Sequence, residues 1–474
     1  MAKGDVAQVV QLAFDYDELL NKHPGELVKL PVKPDDIGGQ LLGILSKGLY
    51  TNSLDCIREY VQNSVDAGAK DITIRVTGNS VTIYDQGNGM NLAELVQARQ
   101  FGLSGKSMAD HVGFRGIGIY SGFDLCRRLR ITTTKENDPY LYTMVFDFEA
   151  MKVELEKDTQ RQQTGQDRIS LIELLSEHTR IKREQSPFAV DRQFTTVELQ
   201  DISDIHIKQL SNRTGLRKYL LQNLPIDFDD NFDYKATISQ RLSTFVPGYK
   251  AIKITLQADG VDDEVVTKPP LKGLQEPVFG YISAGSNPQA AYYWACMNRE
   301  RARVQAGTKK TQIGDDAPAD YEGFVYKVKG FTVGDRNKLR TAFARKAQLY
   351  SWYTGEIYVI DHNVIPNAER DDFETNQAKR SLEMAVNIEL AKLETQVETF
   401  QASGVASERV DKYQTEVDII EEQVNTNTHA DDFVTYSRLD EIGRDLRRQK
   451  IKVDAVKRPT ADDLTKRIDS TVVI

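Results

Sequence analysis

The sequence predicts an α+β protein: an α/β sandwich first, an α/β middle domain next and a helical carboxy-terminal region last. Three observations predict it. A helical pattern around residues 54–66 runs directly into an alternating pattern over 72–84. From residue 223 strand-like and helix-like segments alternate, and after 376 apolar residues recur in heptads. With 474 residues the chain is long enough for about three domains and a large core.

The first element is the helix around Glu59. At about 100° per residue, Glu59, Asn63 and Asp66 fall within about 60° of one another, while Leu54, Ile57, Val61 and Val65 lie opposite. Any amphipathic surface helix segregates in this way, so the segments that follow decide its meaning. Residues 72–84 alternate on either side of Thr77-Gly78-Asn79-Ser80 and read as a β-hairpin. At its end stand Asp85, Gly87, Gly89 and Met90. A carboxylate at a strand end followed by two glycines lets the backbone turn sharply and approach a flat ligand, with Asp85 accepting a hydrogen bond from an exocyclic amine.

A helix-like segment follows near residues 92–101, then a loop through Lys106, then Gly113-Phe114-Arg115-Gly116-Ile117-Gly118. These glycines free backbone N–H groups to cradle phosphates at a helix start. A tight structural turn needs glycines too, and the pattern gains weight from its place after the other two. Gly105-Lys106-Ser107 mimics the end of a P-loop, but Gln100 stands where the leading glycine belongs and no strand precedes it. Residues 194–199 read as a strand whose Thr195 hydroxyl can reach the Asp85 pocket, or as an ordinary β-branched strand.

These motifs in this order resemble the GHKL ATPase superfamily of DNA gyrase, the ninety-kilodalton heat-shock chaperone, sensor histidine kinases and MutL. The segment from Gly43 to Ala67 looks most like the chaperone, whereas Val112–Gly116, Thr195–Leu199 and the spacing from Asn63 to Asp85 look closer to MutL and MORC. The resemblance implies a Bergerat-type sandwich that binds ATP and Mg²⁺, followed by a middle domain like ribosomal protein S5. It implies Asn63 as the protein ligand to Mg²⁺, Glu59 as the base that activates water, Asp66 behind them and Asp85 reading adenine with Thr195 in support. Residues from about 101 to 118 become a lid over the phosphates, with Lys106 a candidate contact.

Phosphoryl transfer also needs a cation at the γ-phosphate. Residues 356–374 read as a strand ending in Pro366-Asn367, which opens a helix with Arg370 in its first turn. This is similar to the chaperone's catalytic loop, so Asn367 and Arg370 are the candidates. A first helical turn favours acids over Arg, although Arg370 could simply pair with Glu369, Asp371 or Asp372. Lys327, Lys329 and Arg336 are rivals for the same task.

Composition narrows the rest. The net charge is −9, which makes no electrostatic case for nucleic acid. Three cysteines in unrelated contexts show no metal spacing. No signal-peptide pattern opens the sequence and no apolar stretch approaches a membrane span, so a cytoplasmic protein without membrane contact is expected. His23 lies in a turn sequence, which argues against a phospho-acceptor and against a sensor kinase.

The expected domains are 1–222 with a polar insertion over 147–192, 223–375, and 376–474. The middle one should contain a strand over 251–256 and a helix over 336–349. Val386, Leu390, Leu393, Val397 and Phe400, then Val410, Tyr413, Val417, Ile420 and Val424, flank Ser403-Gly404 and suggest a helical hairpin or a coiled-coil seam. The favoured function is an ATP-driven, homodimerising clamp acting on a protein client. A nucleotide-gated scaffold for a partner enzyme, as in a bacterial defence complex, and a MutL- or MORC-like clamp on DNA are the alternatives.

Overall fold

The computed structural model describes residues 36–49, 52–102, 116–164, 168–188, 191–271, 273–298, 319–425, 432–449 and 458–472. Helices α1 (Gln40–Leu49) and α2 (Ser53–Asp66) precede the hairpin β1 (Asp71–Thr77) and β2 (Ser80–Asp85). The two-residue loop between those strands holds Gly78 at φ +54, a left-handed conformation suited to such a turn. Helix α3 (Leu92–Ala98) starts on a capping box in which Asn91 and Glu94 bond each other's backbone N–H.

Strands β3 (Cys126–Thr134), β4 (Tyr140–Asp147), β5 (Thr179–Gln185) and β6 (Phe194–Ile202) join β1 and β2. The segment 147–192, expected as a polar insertion, is integral to this unit. Helix α4 (Phe148–Thr164) buries Phe148, Met151 and Leu155, α5 (Leu171–His178) buries Leu171 and Leu174, and β5 pairs with β4. The polar composition misled because only one side of each helix faces the core, while β5, exposed along almost its whole length, is held by its pairing with β4.

Helices α6 (Asp204–Leu210), α7 (Arg213–Asn223) and α8 (Lys235–Phe245) lead to the hairpin β7 (Lys253–Ala258) and β8 (Val261–Val266). Here the expected boundary at 222 gives way. Strand β7, assigned from the sequence to the middle domain, lies parallel to β1 and completes an eight-stranded sheet in the order β5-β4-β3-β6-β2-β1-β7-β8. Ile252, Ile254, Leu256 and Val266 are buried in the first core with Ile72 and Ile74. Apolar burial against the open edge of β1 decides the pairing.

The second sheet contains β9 (Val278–Ala284), β10 (Asn287–Met297), β11 (Gly323–Val328), β12 (Phe331–Val333) and β13 (Tyr353–Val359), ordered β12-β11-β13-β10-β9. No helix fills 336–349. Two 3₁₀ turns, Arg340–Ala342 and Ala347–Trp352, stand there instead. Arg336 is drawn inward to donate to the carbonyls of Gly323 and Gly355 at 2.8 and 3.3 Å, which ties the segment to strand ends rather than to its own next turn.

The expected hairpin break at Ser403-Gly404 is also absent. Helix α9 runs unbroken from Gln377 to Asn425, 49 residues, and the reversal comes later, before α10 (Asp432–Gln449) and α11 (Arg458–Val472). Val386, Leu390, Leu393 and Val397 pack on the second sheet, whereas Ala406, Val410, Val417 and Ile420 pack on α10 and α11. A helical glycine costs only about 1 kcal/mol, which packing on both sides of it outweighs.

Candidate functional site

The site is assembled on α2. Asn52 caps the helix by accepting from Leu54 N at 3.0 Å. Ten residues of α2 are buried, so the face carrying Glu59, Asn63 and Asp66 is half-exposed against an otherwise enclosed helix. The Tyr60 hydroxyl donates to Ile119 O at 3.0 Å and accepts from Gly122 N at 3.2 Å, clamping the 3₁₀ turn Gly118–Gly122 across α2. A Cβ on Gly118 would meet Glu59 Oε2 at 3.3 Å and Asn63 Nδ2 at 3.6 Å. Backbone alone therefore crosses the gap before these two side chains.

Asp85 ends β2 and is buried. Its Oδ2 accepts from the Ser64 hydroxyl at 2.7 Å and its Oδ1 from Gly87 N at 2.9 Å. Burial pushes this carboxyl up, and the two donors, by bonding to its charged form, oppose that. Thr195 on β6 is the cross-strand partner of Asp85. Its hydroxyl lies 3.2 Å from that of Thr133, which donates to Phe194 O and accepts from Met90 N, both at 2.9 Å. Ser64 and Thr133 were missed in the sequence; their only signals are a hydroxyl beside Asn63 and a threonine run at a strand end.

Gly87 and Gly89 do more for packing than a ligand-facing turn requires. A Cβ on Gly87 would strike Ala67 O at 2.8 Å, and one on Gly89, at φ +60, would strike Thr134 O at 1.9 Å. Gly116 has φ +70, its carbonyl accepts from Gly102 N at 3.0 Å, and Ile117 leads into the turn at Gly118. Lys106, Gly113, Phe114 and Arg115 lie outside the described residues.

The segment carrying Arg370 is a closed loop, not the first turn of a helix. Pro366 and Phe373 bridge its ends, and Arg370 takes φ +59, a left-handed backbone that ends any helix. The Asn367 carboxamide is used inside the loop: it donates to the Asp371 carboxylate and accepts from Asp372 N. The macrodipole argument therefore does not apply here. Asp372 pairs with Lys338 and Lys379. Arg370 points instead to the first domain, where its Nε lies 3.3 Å from Glu59 Oε1 across 311 residues of sequence.

The rivals sit elsewhere. Lys327 is buried, bonding Gln222 O at 3.2 Å and the Thr332 hydroxyl at 2.7 Å, and lies 3.9 Å from Glu356. Arg336 is held by strand-end carbonyls, and Lys329 occupies the tight turn between β11 and β12 at φ +49.

Residues 50–178 match the model of a family described as histidine kinase-, DNA gyrase B- and HSP90-like ATPase. Over those residues the chain is similar to GHKL-type ATPase domains. A crystal structure of the N-terminal domain of a DNA repair protein is similar over 76% of this chain and 98% of that one, at 14% identity and a TM-score of 0.44. No curated protein is significantly similar to the chain. No described helix is long and apolar enough to cross a membrane.

Proposed function

We propose that the chain binds ATP on its first sheet and hydrolyses it with Glu59 as base and Arg370 as the cation that answers the γ-phosphate. The ion pair between these two residues carries the reading. A ground-state contact 311 residues long in sequence brings a second-sheet loop to the polar face of α2, where phosphoryl transfer needs positive charge.

Each part has its chemistry. Asp85, fixed by Ser64 and Gly87, accepts a hydrogen bond from the adenine amine, and the Thr133–Thr195 pair braces the strand beside it. Glu59 uses Oε2, the oxygen nearest Gly118, to orient and deprotonate water. The backbone of Gly118 faces Glu59 and Asn63 closely enough that a Cβ there would touch both side chains. Asn63 would hold Mg²⁺, which would supply charge neutralisation there. The triphosphate offers Arg370 a stronger acceptor than one carboxylate, so its guanidinium transfers and Glu59 is released to act.

This makes ATP a fastener between two sheets, in keeping with a homodimerising clamp that acts on a protein client or partner enzyme. Protein is favoured over DNA by the net charge of −9 and by Met384 and Ile388, exposed one turn apart on α9. The test is Mg²⁺-dependent ATP hydrolysis by the wild type, Glu59→Ala and Arg370→Ala, with nucleotide binding and oligomer mass read on the same samples. The reading predicts that both variants bind ATP without turnover and that Glu59→Ala traps a dimer. ATP binding without hydrolysis by the wild type would favour the partner-regulated scaffold, and salt-dependent retention on DNA the nucleic-acid clamp.

A further inference from the structure

We propose that Tyr219 is a positioning residue for Glu59, acting through Asp55 and Arg58; the proposal rests on Glu59 being the base. The Tyr219 hydroxyl on α7 donates to Asp55 Oδ1 at 2.6 Å. Arg58 Nη1 lies 3.4 Å from that same oxygen, and its Nη2 lies 3.9 Å from Glu59 Oε1. Arg370 also meets Oε1, its Nε at 3.3 Å.

Arg58 thus stands between two carboxylates, and its share toward each governs how Glu59 is held. It is buried, so water does little to dilute those interactions. The phenol donated to Asp55 occupies part of that carboxylate and weakens its claim on Arg58. Without the hydroxyl, Asp55 draws the guanidinium toward itself and Glu59 loses a restraint on Oε1. Oε2 then no longer keeps its aim toward the gap at Gly118. The restraint matters most once Arg370 has turned to phosphate, because Arg58 then holds Oε1 without it. Burial, opposed by Arg58 and reinforced by Asp55, raises the phenol well above its ordinary range, so Tyr219 stays a donor at working pH.

The helix that carries Tyr219 is itself held by the second sheet. Its last turn ends with Gln222 O accepting from Lys327 Nζ and the Thr332 hydroxyl. The second sheet therefore reaches Glu59 by two routes, directly through Arg370 and indirectly along α7.

The experiment measures single-turnover ATP hydrolysis and ATP affinity for the full chain as wild type, Tyr219→Phe, Asp55→Asn, the double variant and Glu59→Gln. Tyr219→Phe should slow hydrolysis about tenfold, a fraction of what a positioned base supplies, with affinity unchanged. In the Asp55→Asn background the same substitution should change nothing further, because the carboxylate through which it acts is gone. Wild-type turnover in Tyr219→Phe, a loss fully additive with Asp55→Asn, or a parallel fall in ATP affinity each overturns the relay. If Tyr219→Phe does not fold, Asp55→Asn still decides: with the competing carboxylate neutralised Arg58 stays on Glu59, so hydrolysis should be at least as fast as in the wild type, and a slower rate at unchanged ATP affinity overturns the relay. Failure of the underlying reading looks different: Glu59→Gln then hydrolyses ATP as fast as the wild type.

Discussion

Glu59 and Glu356 have closely similar surroundings and differ in one respect. At Glu356, Lys268 and Lys327 meet Oε1 at 3.1 and 3.9 Å, while Trp294 Nε1 and the Tyr358 hydroxyl donate to Oε2 at 3.1 and 2.7 Å. At Glu59, Arg370 and Arg58 meet Oε1 at 3.3 and 3.9 Å, and Oε2 is turned to the backbone of Gly118. The Glu356 side chain is 3% exposed and that of Glu59 12%. A carboxylate whose two oxygens are both occupied is a fixture of the fold. One held by a single oxygen keeps the other for a ligand. The difference also separates Arg370 from Lys327 and Arg336, which sequence alone left as rivals.

The widest separation should come from the two Gln substitutions. Glu59→Gln should cut hydrolysis by about 10²- to 10⁴-fold, or about 3–5 kcal/mol in barrier, spare ATP binding and cost less stability than its counterpart, since Arg58 keeps Asp55. Glu356→Gln should cost about 3–5 kcal/mol of stability in urea unfolding, because it leaves buried cations uncompensated. An inverted pattern would break the comparison.

Arg370 carries both a charge and a left-handed backbone, and two substitutions separate them. Arg370→Gly and Arg370→Ala should each lower turnover by about 10²-fold or more. Glycine accepts φ +59 without strain, so the Gly variant should be more stable than the Ala variant by about 1 kcal/mol in thermal melts.

The closed cluster should respond to pH. Burial, opposed by Glu356 and reinforced by Lys268 and Arg336, pushes Lys327 down to about 7 from its usual 10.5. Burial would raise Glu356, but Lys268, Lys327 and Arg336 hold it well below the carboxylate range. Between about pH 7 and 10.5 the unfolded chain carries a proton on Lys327 that the folded chain lacks, so stability rises with pH across that window. The slope is at most about 1.4 kcal/mol per pH unit. Lys327→Met should remove it, which denaturant unfolding of both proteins at pH 7 and 9 would show.

The smallest effect concerns a group with neither kind of partner. Gln62, beside Asn63, is fully buried, and neither end of its amide is hydrogen-bonded among the described residues. Gln62→Met should raise stability by about 1 kcal/mol, measured as a higher melting temperature.

Local pattern made α2, β1, β2 and Asp85 legible, since the periods of helix and strand fall within a few neighbouring residues. Long-range choices were not. Nothing near Lys253 announces that it pairs with Asp71, and nothing near Asp55 announces Tyr219. The glycine at 404 looked like a break because its local cost is visible, whereas the packing that outweighs it lies on α10, α11 and the second sheet. Arg370 was picked out by its place in a motif, but its left-handed backbone and its reach to Glu59 follow from the Pro366–Phe373 loop.

Helix α9 begins just after that loop and spans 49 residues, about 70 Å at 1.5 Å per residue. Such a rod is a lever arm. Its first half is fixed on the second sheet through Val386, Leu390, Leu393 and Val397, so the arm beyond them is about 40 Å long and a tilt of about 10° sweeps its tip, with α10 and α11 attached, through about 7 Å. A guanidinium that moves by a bond length or two to follow a phosphate thus lies at the short end of a mechanical amplifier whose long end carries three packed helices.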